Sequence, residues 1–223
     1  MTETIGEILP LALGVAISPI PIIAAILMLL SPKARVTSVG FLLGWIAGIV
    51  LAVTVFTLLA SVIPPSDPDE AAPVRGTIQL LLGALLLVLA ARNWRARPRP
   101  GQEPAMPKWM HAIDTISFFG ALGLGLLLSA VNPKNLMMGA AAGTDIGSVD
   151  LSASDTVLVI AVFTLIAAST VAIPVIGYLI AAKSLREPLD ALRGWLAHEN
   201  AVIMAVLLLV IGVVLIGKGI GSF

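Results

Sequence analysis

Residues 115–142 read TISFFGALGLGLLLSAVNPKNLMMGAAA, an apolar run interrupted near its middle by Asn132-Pro133-Lys134-Asn135. About 20 mainly apolar residues suffice to span a bilayer as a helix, so the run is long enough to cross. The interruption is what a simple span should avoid. Proline removes a main-chain donor and clashes with the preceding turn. The groups it frees cannot face lipid and must be met by protein, water or a solute. The stretch therefore reads as a span broken at mid-depth with a lysine at the break. A charge at the bilayer centre costs at least about 2.5–3.5 kcal/mol. A counter-charge, main-chain carbonyls at the break, or a polar cavity holding an anionic group would compensate it. The alternative is a side chain that snorkels to the outer interface. Asn132 and Asn135 both donate and accept, which suits capping of the broken ends or contact with a solute.

An earlier run has the same form. Residues 5–30 carry Ser18-Pro19-Ile20-Pro21 near their middle, and Pro133 lies 114 positions after Pro19, close to half of the 223-residue chain. The same offset lays span two over span five. It also sets the basic connector at Lys33 and Arg35 against the acidic stretch near Asp145 and Asp150, so equivalent places carry opposite charge. Two three-span units inserted in opposite senses require that. Matched broken helices in inverted halves are the best sequence pointer to a transporter's central site. The expected fold is all-α and integral to the membrane: six transmembrane helices as two inverted three-helix repeats, with helices 1 and 4 broken. The division is a first repeat at 1–95, a cytoplasmic connector at 96–112 and a second repeat at 113–223.

Composition agrees with that class. The chain is 58% hydrophobic and 12% charged, with a mean hydropathy of +1.04, whereas a soluble domain carries about 25% charged residues. Six spans are expected at roughly 5–30, 36–63, 75–92, 115–142, 155–181 and 199–219. The first does not read as a cleaved signal. It lacks a basic leader, holding Glu3 and Glu7 and no Lys or Arg before Lys33. Ten of the thirteen Lys and Arg residues fall in the first, third and fifth connectors, which assigns those to the cytoplasm and both termini to the outside of the cytoplasmic membrane. Leu185, Leu189, Leu192 and Leu196 recur at helical spacing in the fifth connector, the pattern of a short interfacial helix anchored by Trp195.

Several function classes drop out. Net charge is zero without a basic stripe, which disfavours nucleic acid. There is no cysteine, and the two histidines, His111 and His198, lie far apart in polar connectors, so neither thiol chemistry nor a metal cluster has material. No catalytic constellation is present, and an enzyme, a cofactor or a metal is not expected. A membrane-embedded carboxylate for proton coupling is also missing, leaving only the peripheral Glu7, Asp145 and Asp155, or Lys134 itself.

Gly40, Gly44 and Gly48 strip side chains from one stripe of span two and permit close helix approach, within the chain or in a homodimer. Thr54, Thr57, Gln79, Ser129, Thr164, Ser169 and Thr170 are weaker path-lining candidates. Pro174 is expected to kink span five. The candidate translocation residues are Ser18, Pro19, Pro21, Ser129, Asn132, Pro133, Lys134 and Asn135.

A six-span chain with a proline motif in span one and Asn132-Pro133-Lys134 in span four resembles the LysE superfamily of exporters. Within it, Ser18-Pro19-Ile20-Pro21 and the overall length are most similar to the GAP, or Sap-type, family. That group comprises actinobacterial proteins associated with moving peptidoglycolipids and sulfolipids to the cell surface. The resemblance implies export of a small amphipathic or lipidic solute by alternating access, with membrane lipid and the substrate as partners. Amino-acid exporters of the superfamily usually place a glycine between the first-half prolines, where this chain has Ile20. Two other readings share the architecture: an amino-acid exporter, and a non-transporting scaffold for cell-envelope lipid synthesis or secretion.

Overall fold

Two prolines, each preceded by a residue able to cap a helix, decide where the longest apolar runs divide. The computed structural model describes residues 1–62, 73–97, 113 and 115–222. In it α1 (Thr2–Ala16) ends before Ser18, and α2 (Pro19–Leu30) begins on Pro19, bent by 51° from α1. Likewise α5 (Phe118–Ala130) ends before Asn132, and α6 (Pro133–Gly147) begins on Pro133. Proline suits a first helical position because that donor has no intrahelical partner in any case. Proline alone is not sufficient. Pro10 sits inside α1, and Pro174 and Pro188 sit inside α7 (Ala153–Ile220), without ending either helix.

The remaining helices are α3 (Ala34–Ser61) and α4 (Pro73–Arg95). In α7 the departure from helical geometry comes at Ala181 (φ −135°, ψ 49°), past the proline expected to kink it. It divides α7 into Ala153–Ala182 and Ser184–Ile220. Among the described residues, four helices are long and apolar enough to cross a membrane: Ala34–Ser61, Gly76–Arg95, Ala153–Ala182 and Ser184–Ile220. The bent α1–α2 pair makes five, and Phe118–Ala130 is a shorter apolar helix. The separate interfacial helix expected at 185–196 is instead the start of the 37-residue helix Ser184–Ile220. Between Leu196 and Ala201 the sequence Ala197-His198-Glu199-Asn200 offers no glycine or proline to stop it. Residues 98–112, most of the connector between the proposed repeats, lie outside the described residues, as do the acids Asp67, Asp69 and Glu70.

Helix packing follows the small residues. Along α3, Gly40 faces the Phe118 carbonyl, Gly44 the Leu122 carbonyl and Gly48 the Ser129 hydroxyl; a Cβ at any of the three would collide with its neighbour. The same line continues on α6, where Gly139 approaches Ala52, Gly143 approaches Phe56 and Thr57, and Gly147 approaches Ala60. Residue numbers rise together on both sides, so α5 and α6 lie end to end and parallel to the one long helix α3. The glycine stripe is thus filled by α5 of the same chain. Helix α4 and the last part of α7 run antiparallel, with Leu80 against Gly219, Gly83 against Ile216 and Leu87 against Gly212. Helices α1 and α2 pack on α7, and α1 also packs on α6. The core holds Phe41, Trp45, Met138 and Phe163, while Leu58, Phe119, Leu165, Ile173 and Ile180 on the outside are each more than 60% exposed. An apolar exterior of that kind matches a lipid solvent.

Candidate functional site

The two helix breaks meet. A helix leaves its last four carbonyls without intrahelical donors, and α1 stops inside the bundle, where water cannot serve them. Lys134 reaches across from the first turn of α6: its Nζ donates to the Gly14 carbonyl at 2.6 Å and to Ser18 Oγ at 3.0 Å. The Thr170 hydroxyl of α7 donates to the Ala16 carbonyl at 2.5 Å. The C-terminal end of a helix carries about half a negative charge, so it favours a cation. Lys134 is 2% exposed, and its ammonium does not snorkel to an interface. Among the described residues, no carboxylate forms an ion pair with it. Gly14 lets α1 approach closely, since a Cβ there would push aside the side-chain ends of Ile211 and Met138.

The asparagines complete the second break. Asn132 caps α6, its side-chain oxygen accepting from the Lys134 amide at 3.1 Å. Asn135 bridges the break: its Nδ2 donates to the Leu128 carbonyl of α5 at 2.9 Å, and its Oδ1 accepts from Ser18 Oγ at 3.4 Å. Ser18, Lys134, Asn135 and Gly14 thus form one connected polar group joining α1 to α6. Pro19, Pro21 and Pro133 build the helix starts and present no polar side chain to it. Ser129 lies slightly apart, its Oγ donating to the Gly125 carbonyl at 2.9 Å. Between Ser129 and Asn135 is a cavity of about 10 Å³, walled by Val15, Ile49, Ala52 and Phe163. Such a space is at the threshold for one water, so the central site is closed around its own side chains.

A second polar cluster sits at the end of the bundle where both termini lie. Asp145, fully buried near the end of α6, accepts from Gln79 Nε2 of α4 at 2.8 Å and pairs with Lys218 Nζ of α7 at 3.0 Å. Lys218 also lies 3.9 Å from Glu7 of α1, and Ser222 Oγ donates to Gln79 Oε1 at 3.4 Å.

A family model described as Sap, sulfolipid-1-addressing protein, matches residues 8–221. The chain belongs to that family. No curated protein and no solved structure matches it.

In this Sap-family chain, Ser18, Asn132, Lys134 and Asn135 are visible in the sequence because proline and charge stand out in apolar runs. Gly14 is not, since its contribution is a carbonyl and a missing side chain; its only signal is its place one turn before Ser18. The Asp145–Lys218 pair is equally hidden, because each residue taken alone is an ordinary charge near the end of a span. Trp45, stacked at 6.4 Å on Phe41, gives no signal either; it is fully buried with an indole N–H that has no hydrogen-bond partner. No group of three or more metal-ligating side chains occurs among the described residues.

Proposed function

We propose that this Sap-family protein is a transporter of the cytoplasmic membrane, built on the LysE-superfamily plan, that moves an anionic amphiphile outward by alternating access. The observation that carries the reading is the buried Lys134 ammonium at the junction of two broken helices, held by neutral oxygens alone. Its charge remains available to a sulfate or similar headgroup, and the family's description names a sulfolipid. Ser18 and Asn135, which hydrogen-bond each other across the junction, exchange those bonds for headgroup oxygens when the site opens.

Six crossings in two inverted repeats suit the packing. Helices α5 and α6 together accompany the 28-residue α3 along its length, as two halves of one broken span would. In a pseudo-twofold bundle, that pairing matches the packing of α1 and α2 on α7, where Thr170 meets the end of α1. The antiparallel pairing of α4 with the end of α7 maps onto itself. Both termini then lie on one face, which the basic connectors assign to the outside. The near-absence of space at the centre corresponds to an occluded state, from which the halves must rock apart to admit a headgroup.

The test is reconstitution of the purified chain into vesicles carrying a fluorescent long-chain sulfate ester in one leaflet. Protein-dependent transfer to the other leaflet is expected, with a matched uncharged alcohol moved poorly. Absence of any flux from pure, folded protein that co-purifies with a lipid-synthesis partner would overturn the reading in favour of a scaffold.

A further inference from the structure

The end of the bundle that bears both termini is fastened differently from the other end. There, Asp145 of α6, Gln79 of α4, Lys218 of α7 and Glu7 of α1 join four helices through contacts of 2.8, 3.0 and 3.9 Å. At the opposite end a groove of about 870 Å³ opens beside Leu30, between Ser184, Arg186, Asp190 and Arg193. The two helices that form the central site, α1 and α6, both run into the fastened end. Asp145 stands eleven positions beyond Lys134 on α6, about 16 Å at 1.5 Å per residue, and Glu7 stands seven positions ahead of Gly14 on α1, about 10 Å.

We propose that this cluster is a charge lock that closes the terminus-bearing end over the central site, and that release of Lys218 from Glu7 and of Asp145 from Gln79 opens it. The inference rests on the transport reading above. Three features distinguish a lock from static glue. The contacts cross between the units that must separate, Asp145 to Gln79 and Lys218 to Glu7, so they break when the end opens. Lys218 and Glu7 keep 24% and 30% of their side-chain surface exposed, so water enters readily once the pair parts. Lys218 also has Asp145 at 3.0 Å in its own half, with which it stays paired as Glu7 withdraws with α1. A cation that keeps a partner in both arrangements suits a bistable element, whereas an ion pair sealed from water on all sides is too costly to open repeatedly.

The absence of native cysteine allows a direct test on the full-length chain. A single Ser18→Cys substitution places one thiol at the central site, and a membrane-impermeant thiol reagent is applied separately to each face of oriented vesicles. Slow labelling is expected from the terminus-bearing face, rising at least about tenfold in both Asp145→Asn and Lys218→Met backgrounds. Labelling from the opposite face should fall in step. Placing the lesion on either partner keeps the test usable if one variant folds poorly, and folding is checked by monodispersity and thermal midpoint in detergent. A folded variant whose terminus-side labelling does not change overturns the lock. If the thiol is labelled from the opposite face at the parental rate, only the lock falls. Should the thiol resist the reagent from both faces in every background, the lock and the central site fall together.

Discussion

Lys134 and Lys218 are the same residue type in the same bundle, and the fold treats them in opposite ways. Lys218 meets carboxylates, Asp145 at 3.0 Å and Glu7 at 3.9 Å, so its charge is cancelled on the spot. Lys134, almost fully buried, meets a carbonyl and a hydroxyl, so its charge is stabilised but not cancelled. The negative end of α1 favours an ammonium without neutralising it. A cation paired with carboxylates fastens helices. A cation held by dipoles is ready to receive an anion.

The largest effect is expected at the uncancelled charge. Lys134→Ala should reduce flux of a sulfated amphiphile at least about 100-fold, since two charge-assisted hydrogen bonds at about 1.5–3 kcal/mol each are removed with the anion's partner. The protein should still insert and elute as a folded species. Full activity in that variant would erase the difference between the two lysines. Next comes the cancelled charge. A thermal-stability cycle of Asp145→Asn and Lys218→Met, singly and together, should give a coupling of about 1–3 kcal/mol. The matching cycle of Lys134→Met with Asp145→Asn should give close to none, and appreciable coupling there would show that the two clusters share a network. Lys134→Arg keeps the charge but replaces a compact ammonium with a planar fork that the Gly14 carbonyl and Ser18 cannot both meet. A flux loss of about tenfold is expected, from the same vesicle assay. The smallest effect belongs to the neutral cap beside Lys134. Thr170→Val, which removes the donor to the Ala16 carbonyl, should lower stability by about 1 kcal/mol and leave the substrate's charge preference unchanged.

Legibility followed chemical contrast. Pro19 and Pro133 announce their breaks because each follows a residue of a type able to cap, within an apolar run, which is the local chemistry of a helix start. The structure divides the helices at those positions. For Lys134 the sequence allows a buried and an exposed conformation, and only the distance to Gly14 decides between them. The glycine stripe at 40, 44 and 48 predicts close approach but not the neighbour, because a missing side chain does not specify what fills its place. The helix expected at 185–196 merges into the last long helix because amphipathic spacing marks a face and not an end. Asp145 reads as peripheral in the sequence because its position near a span's end says nothing of what lies across from it.

By itself, the sequence determined that this protein belongs in a bilayer and that its main chain breaks at Pro19 and at Pro133. Both follow from local chemistry: transfer of apolar side chains out of water and the missing N–H of proline act on the residues that carry them. The tertiary structure alone decided which groups meet at those interruptions and at the terminus-bearing end. Gly14 and Lys134 are 120 positions apart, and Asp145 and Lys218 are 73 apart. Distances of that kind are set by how the helices pack through their small residues, and no local propensity encodes them.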